Sequence, residues 1–360
     1  MNLSISLFAP ILYNLYNIIK RFKKGGYALR ATIKDVAKHA GVSVASISRF
    51  LNKKGYVSEA TQTKIKHAIQ ELNYQPNEVA RALFKRETKT IGVIIPNIRI
   101  YFFSELVNYI EYYASKMGYR IMLCNTDYSS DRERDYLEML RNQQIDGIIL
   151  GSHSLPVEQY KNLQLPVISV DRFLDDKIPL ITSDNRMGGK LAAEKLYNSG
   201  CKHVGYFGLL DDKNNLTTER YSSFKKTCIK LGMICIAQQP EYTKDIKGEK
   251  HSDLDLVRKF ISENEELDGL FTVDPLALAA IRVCQERGLK IPSDFQIIGY
   301  DDLSFAKMTF PSITTIKQPI SQLAEVAIGN LIDSINCNAV QNRTILPVSL
   351  IERETTKNDY

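Results

Sequence analysis

The stretch beyond Lys89 constrains the fold most, because short aliphatic runs alternate there with longer stretches whose apolar residues recur at helical spacing. The runs at 91–95, 120–124, 147–150, 166–170, 203–207, 269–273 and 296–300 have the length of buried strands. Helical periodicity fills 104–117, 131–142, 188–199, 219–231 and 275–287 between them. Strand-helix-strand repetition closes right-handed crossovers, so the pattern predicts parallel sheet covered on both faces. So many strands suit two doubly wound subdomains better than one sheet. Ligands of such sheets sit outside the carboxyl ends of the strands, which places the expected site in a cleft between the subdomains.

The segment from Thr32 to Leu83 has a different rhythm. Ile33, Val36, Ala37 and Ala40 form one helical stripe, Ile47 and Leu51 a second, and Ile65, Ala68, Ile69 and Leu72 a third. Three small helices can bury one another. Thr32 and Asp35 have capping-box spacing, Gly41 stands where a tight turn ends the first helix, and Ser43 can cap the second.

Charge separates the two parts. Residues 1–90 hold 16 Lys and Arg against 5 Asp and Glu, whereas the remainder holds 31 against 36. A basic end on an acidic body predicts that the N-terminal part meets a polyanion. The six cysteines are scattered without a C-x-x-C pair, as in a reduced cytosolic protein, and Cys124 and Cys284 have the aliphatic neighbours of core positions. Five histidines form no H-E-x-x-H or Cys/His cluster, so neither a metal nor another cofactor is expected. No P-loop, G-x-G-x-x-G or nucleophile elbow occurs, which argues against an enzyme.

Residues 1–30 read as a leader. The apolar run from Leu3 to Ile19 is broken by Ser4, Ser6, Asn14 and Asn17, and is shorter than the ~20 residues of a spanning helix. Its basic cluster, Lys20, Arg21, Lys23 and Lys24, follows the apolar run instead of preceding it as in a signal peptide. A dispensable leader and a membrane-surface segment both remain open for it, while no membrane role is expected for the rest.

The run Thr32-Ile-Lys-Asp-Val-Ala-Lys-His-Ala-Gly-Val-Ser-Val-Ala-Ser-Ile-Ser-Arg-Phe-Leu-Asn52 resembles the DNA-binding headpiece of the lactose-repressor family. Val57-Ser58, Leu72-Asn73-Tyr74 and the segment from Pro76 to Leu83 continue the likeness. A helix starting at Val44 that buries Ile47 and Leu51 turns Ala45, Ser46, Ser48 and Arg49 outward at the end that enters a major groove. The resemblance assigns base reading to Val44, Ala45 and Arg49. Arg49 can fork onto guanine, and the two apolar side chains can meet a thymine methyl. Thr32, Ser43, Ser46 and Ser48 suit phosphates, which position a headpiece without specifying sequence. The segment from Asn77 to Lys85 resembles the family's hinge helix, too short to hold alone in water. Asn77, Ala80 and Leu83 are its expected DNA contacts, with Leu83 as a minor-groove wedge.

Residues 90–352 resemble the family's effector domain, itself similar to sugar-binding proteins of the bacterial periplasm. The fold expected is therefore a small all-α helix-turn-helix headpiece joined to an α/β sensor domain of two doubly wound parallel-sheet subdomains. The headpiece spans 31–75 and the hinge helix and linker 76–88. The sensor domain spans 89–352, with an N-subdomain of about 89–183 and 317–338, a C-subdomain of about 184–316 and 339–352, and a tail at 353–360. The resemblance places Phe102, Phe103, Asp171, Arg172, Arg220, Tyr242, Asp274, Asp301 and Gln318 at the effector. A neighbouring carboxylate and guanidinium, as in Asp171-Arg172, match adjacent hydroxyls. Acceptors accompany the donors and no basic cluster occurs, which favours a neutral sugar over a phosphate or a nucleobase.

Asp171-Arg172, Thr182-Ser-Asp-Asn185 and Ile298-Gly-Tyr-Asp301 resemble the family's ribose and sucrose operon repressors. One departure is the missing Pro before the aromatic pair, where Tyr101 follows Arg99-Ile100. No leucine heptads precede Tyr360, so the expected assembly is a homodimer on a roughly palindromic operator. The resemblance implies a cytoplasmic repressor whose grip on double-stranded operator DNA is set by a small sugar. A corepressor or a phosphoprotein partner of the catabolite-control kind is the alternative.

Overall fold

The computed structural model describes residues 31–52, 55–74, 88–142, 145–152, 154–210, 216–241 and 252–357. The expected leader, Asn77, Ala80, Leu83 and Tyr242 lie outside the described residues. The chain forms two compact units, one up to residue 86 and one from residue 87.

The first unit is three helices, α1 (Ile33–Ala40), α2 (Val44–Asn52) and α3 (Glu59–Glu71). They close over Val36, Ala37, Ile47, Ile65, Ala68 and Tyr74. The capping box forms as the spacing predicts: Asp35 N–H donates to Thr32 Oγ1 at 3.3 Å and Thr32 N–H to Asp35 Oδ2 at 2.8 Å. Such a cap contributes about 1 kcal/mol. Gly41 ends α1 at φ 64°, a left-handed position that a Cβ would strain. Ser43 Oγ accepts from Ser46 N–H at 3.1 Å and starts α2.

The second unit holds two six-stranded sheets. In the first, β1 (Thr90–Ile95), β2 (Arg120–Asn125), β3 (Gly147–Leu150), β4 (Val167–Val170), β5 (Leu180–Ser183) and β11 (Arg343–Leu346) run in the order β11-β5-β4-β3-β1-β2, all parallel. Helices α4 (Tyr101–Lys116), α5 (Ser130–Asn142), α6 (Val157–Lys161) and, from later in the chain, α11 (Ile320–Ile335) go with it. In the second sheet, β6 (His203–Phe207), β7 (Ile234–Gln238), β8 (Gly269–Thr272), β9 (Gln296–Asp301), β10 (Thr314–Lys317) and β12 (Ser349–Ile351) run β12-β10-β9-β8-β6-β7. Only β12 is antiparallel there, against β10. Its helices are α7 (Asn185–Asn198), α8 (Thr218–Lys230), α9 (Asp253–Glu263) and α10 (Asp274–Glu286).

Leaving β11 and β12 aside, both sheets have one strand order, with the first strand beside the third. That arrangement creates a switch point between β1 and β3 and another between β6 and β8. All seven expected strands form. Five others do not stand out in the sequence because they lie at sheet edges or carry polar side chains: β10 buries Thr314 and Thr315 on hydrogen bonds, and β12 is a three-residue edge strand just beyond Pro347 and Val348.

Two expected boundaries need correction. Residues 339–352 do not all lie in the C-subdomain, because β11 pairs with β5 of the first sheet and the chain crosses only after Leu346. Nor is 353–357 a tail: Thr355 Oγ1 donates to Ile297 O at 2.7 Å and Ile297 N–H returns to Thr355 O at 2.9 Å, extending the second subdomain. Three crossings therefore join the subdomains, after Ser183, after Lys317 and after Leu346. Among the described residues no helix is long and apolar enough to cross a membrane.

Candidate functional site

The three crossings bring together side chains that are distant in sequence. Asp171 follows β4 at φ 56° and its Oδ1 accepts from Thr182 Oγ1 at 2.6 Å. Asp301 ends β9 at φ 114°, a strained conformation of the kind that gathers at functional sites. Gln318, just past β10, donates from Nε2 to Asp301 Oδ1 at 2.6 Å and accepts from Ser183 Oγ at 2.5 Å. The first and second crossings are thus bonded to each other.

Arg220, in the first turn of α8, is the centre of this cluster and is only 5% exposed. Its Nη2 and Nε donate to Asn185 Oδ1 at 2.9 and 3.3 Å, and its guanidinium carbon stands 3.2 Å from the centroid of the Tyr300 ring. Burial opposes the charge, yet Tyr300, Tyr206, Asp301 and Asp171 outweigh it and hold the guanidinium pKa above its usual value. Burial pushes Asp301 up to about 6 against the pull of Arg220 and Gln318, and raises Asp171 against Thr182 and Arg220. Two reluctant carboxylates and one shared cation are a polar site under tension. Hydroxyl groups can relieve it by donating to the carboxylates and accepting from the guanidinium.

Four of the expected effector residues, Asp171, Arg220, Asp301 and Gln318, meet in this cluster. Arg172 stands at its margin, partly buried and close to the exposed Tyr128. Phe102 and Phe103 open α4 as expected but are 8% and 6% exposed within the first subdomain's core, which leaves a sugar little ring surface. Asp274 requires a correction. It is fully buried, with Oδ2 accepting from Leu303 N–H at 2.7 Å and Oδ1 from Thr315 Oγ1 at 2.6 Å. Both oxygens hold the chain after β9, and the side chain has no exposed surface.

The bonded partners Thr182, Ser183, Asn185 and Tyr300 were not anticipated individually, although they lie in the two runs that resemble sugar-operon repressors. Their position at the end of β5, the start of α7 and the end of β9 is the signal that could have found them. Just beyond the ends of β1 and β2, Asn97 donates to Asp127 at 2.8 Å.

In the three-helix unit, Val44, Ala45 and Arg49 are exposed on α2 while Ile47 is buried, as the base-reading assignment requires. Ser43 and Ser46 hydroxyls bond each other at 2.9 Å, and Ser48 Oγ accepts from Asn52 at 3.3 Å. The Thr32 hydroxyl donates to Asp35 Oδ2 at 2.7 Å and accepts from Asp35 N–H at 3.3 Å, so it serves the cap. Tyr56, in the chain between α2 and α3, is 88% exposed.

Residues 32–77 match the family model of bacterial regulatory proteins, lacI family, and residues 193–356 the periplasmic binding protein-like domain. The chain is 39% identical to the sucrose operon repressor of Streptococcus mutans, over 90% of this chain and 99% of that one. It is 38% identical to the ribose operon repressor of Halalkalibacterium halodurans, over 91% of this chain and 97% of that one. The structure of the lac repressor dimer bound to operator and the anti-inducer ONPF is similar with a TM-score of 0.79 and 25% identity, covering 91% and 99% of the two chains.

Proposed function

The chain belongs to the lacI family of bacterial regulatory proteins, and from that premise we propose that it is a cytoplasmic repressor released from its operator by a small sugar of the ribose or sucrose type. It is a DNA-binding transcription regulator and not an enzyme. The observation that carries the sugar reading is the Arg220 cluster, because it joins donors and acceptors from two crossings between the subdomains. A polyol in contact with Arg220, Asp171, Asp301 and Gln318 binds both subdomains and favours one of their relative arrangements.

On the DNA side, Arg49 reads a guanine, Val44 and Ala45 make apolar base contacts, and Thr32, Ser43, Ser46 and Ser48 meet phosphates, with the exposed Tyr56 as a further candidate. Asn77, Ala80 and Leu83 order on the operator, with Leu83 as the wedge. The proposed domains run from 31 to 75 for the headpiece, 76 to 88 for the hinge, and 89 onward for the sensor. Asp274 acts in the scaffold.

The test is a fluorescence-anisotropy titration of the purified protein on DNA upstream of its own gene, at fixed salt, with ribose, sucrose, fructose and their phosphates. Release by one neutral sugar is expected, and Arg220→Ala is expected to abolish that release while the protein still binds DNA. Tighter binding with ligand reverses the sign and makes the protein a corepressor type. A phosphoprotein partner is the second reading; a cavity of about 340 Å³ at the seam is lined by Lys307, Lys317 and Arg353 together with Glu105 and Asp302, the last of which pairs with Arg353 at 2.6 Å. DNA binding that no sugar alters would direct the search there.

A further inference from the structure

Cys228 and Cys235 take no part in either site. Cys228 lies in the last turn of α8, fully buried. Cys235 lies on β7, the edge strand of the second sheet, partly buried and packed against the cluster that contains Cys228. The chain returns between them through a tight turn: Gly232 takes φ 77° and Met233 N–H donates to Cys228 O at 3.0 Å. The turn brings the two thiols within hydrogen-bonding reach of each other.

We propose that Cys228 and Cys235 form a reversible dithiol–disulfide pair, a modification site for peroxides on the helix that carries Arg220. The roles divide by exposure and charge. The hydrogen bond from Cys228 favours the Cys235 thiolate, burial opposes it, and Lys225 adds to it; the same bond and burial keep Cys228 protonated. The attacking sulfur is therefore the one with solvent access. Its thiolate displaces hydroxide from hydrogen peroxide and becomes a sulfenic acid. The Cys228 sulfur then attacks the Cys235 sulfur, its proton leaves with the displaced oxygen as water, and the disulfide forms. Two thiols and one peroxide give one disulfide and two waters, and a dithiol reductant reverses the two-electron change.

The remaining cysteines behave differently in this chemistry. Burial raises Cys124 to about 11 and Cys201 and Cys284 to about 12, with no second thiol to resolve an oxidised form, whereas Cys337 is exposed and would react unproductively. The experiment therefore uses full-length Cys337→Ser protein, reduced and then treated with stoichiometric hydrogen peroxide. Loss of two of its five thiols is expected, with a Cys228–Cys235 link in the peptide map and full recovery in dithiothreitol. In the Cys228→Ser variant of that protein, dimedone should capture Cys235 about tenfold faster than Cys124 or Cys284, as thiolate character and access dictate. Should that buried substitution prevent folding, Cys235→Ser, at the less buried position, is expected to abolish the thiol loss. An unchanged thiol count, or Cys235 passing to the sulfinic acid without the link, would overturn the proposal.

Discussion

Asp301 ends β9 and Asp274 follows β8, neighbouring strands of the second sheet, yet the two carboxylates are held differently. Both read alike in the sequence, as an aspartate at the end of an aliphatic run. The difference lies in direction: Asp274 starts α10 with its carboxylate closed on Leu303 and Thr315, while Asp301 faces Arg220 and Gln318. Direction depends on packing among distant segments, which no local pattern records. The energetic mark of Asp301 is its pKa of about 6, raised by burial above the ordinary 3.8. Between these values the folded chain holds more protons than the unfolded one, so this group makes stability fall as pH rises through that window and leaves it level above. Asp301→Asn removes the ionisation. It should be more stable than the parent at pH 7.5, by about 1–3 kcal/mol in urea unfolding, equal to it near pH 4, and blind to the sugar. Parallel pH profiles for the two proteins would mean that Arg220 fully offsets the burial.

At the scale of elements, α7 and α8 show what the helical period conveys and what it omits. The apolar rhythm located both helices within a few residues, but not the closeness of their approach. A Cβ on Gly189 would stand 2.1 Å from the main-chain oxygen of Arg220, and one on Gly188 2.6 Å from the Tyr300 ring. The glycine pair is what lets the arginine helix and the tyrosine meet. Gly189→Ala should cost about 1–3 kcal/mol in thermal or chemical unfolding and weaken sugar binding, because Arg220 has to move. Gly329→Ala is the control. That glycine lies in α11 with open space around its missing Cβ, so the change should be neutral or stabilise by up to about 1 kcal/mol. Similar losses in both variants would show that the contact at Gly189 has no special weight.

For the whole molecule, strand–helix alternation conveyed the two-sheet architecture, and the charge asymmetry pointed to the DNA-facing end. The last crossing stayed hidden because β11 and β12 are separated by only two residues and read as one short, mostly aliphatic stretch broken by Pro347. Assembly has its own marker. Phe310 is 85% exposed, with Met308 also exposed and α10 presenting Leu278, while Gln285 of that helix donates to Phe310 O at 3.5 Å. Such an apolar group on a charged surface is suited to the twofold interface of the proposed homodimer. Phe310→Glu should give monomers in sedimentation velocity and lower operator affinity steeply, since two headpieces no longer arrive together. An intact dimer would move the interface elsewhere.

The pairing of β11 with β5 also sets a timetable for synthesis. Arg343 lies opposite Leu180, so the first sheet gains its final edge only after β6 to β10 of the second subdomain have been made. A nascent chain thus leaves the ribosome with both sheets unfinished, and a single late segment completes one and then the other. Pairings across such sequence distances form slowly. Any chain cut short before residue 343 loses an edge from both sheets at once, so premature termination yields a polypeptide fit for proteolysis instead of a half-active regulator that could occupy the operator without answering to its ligand.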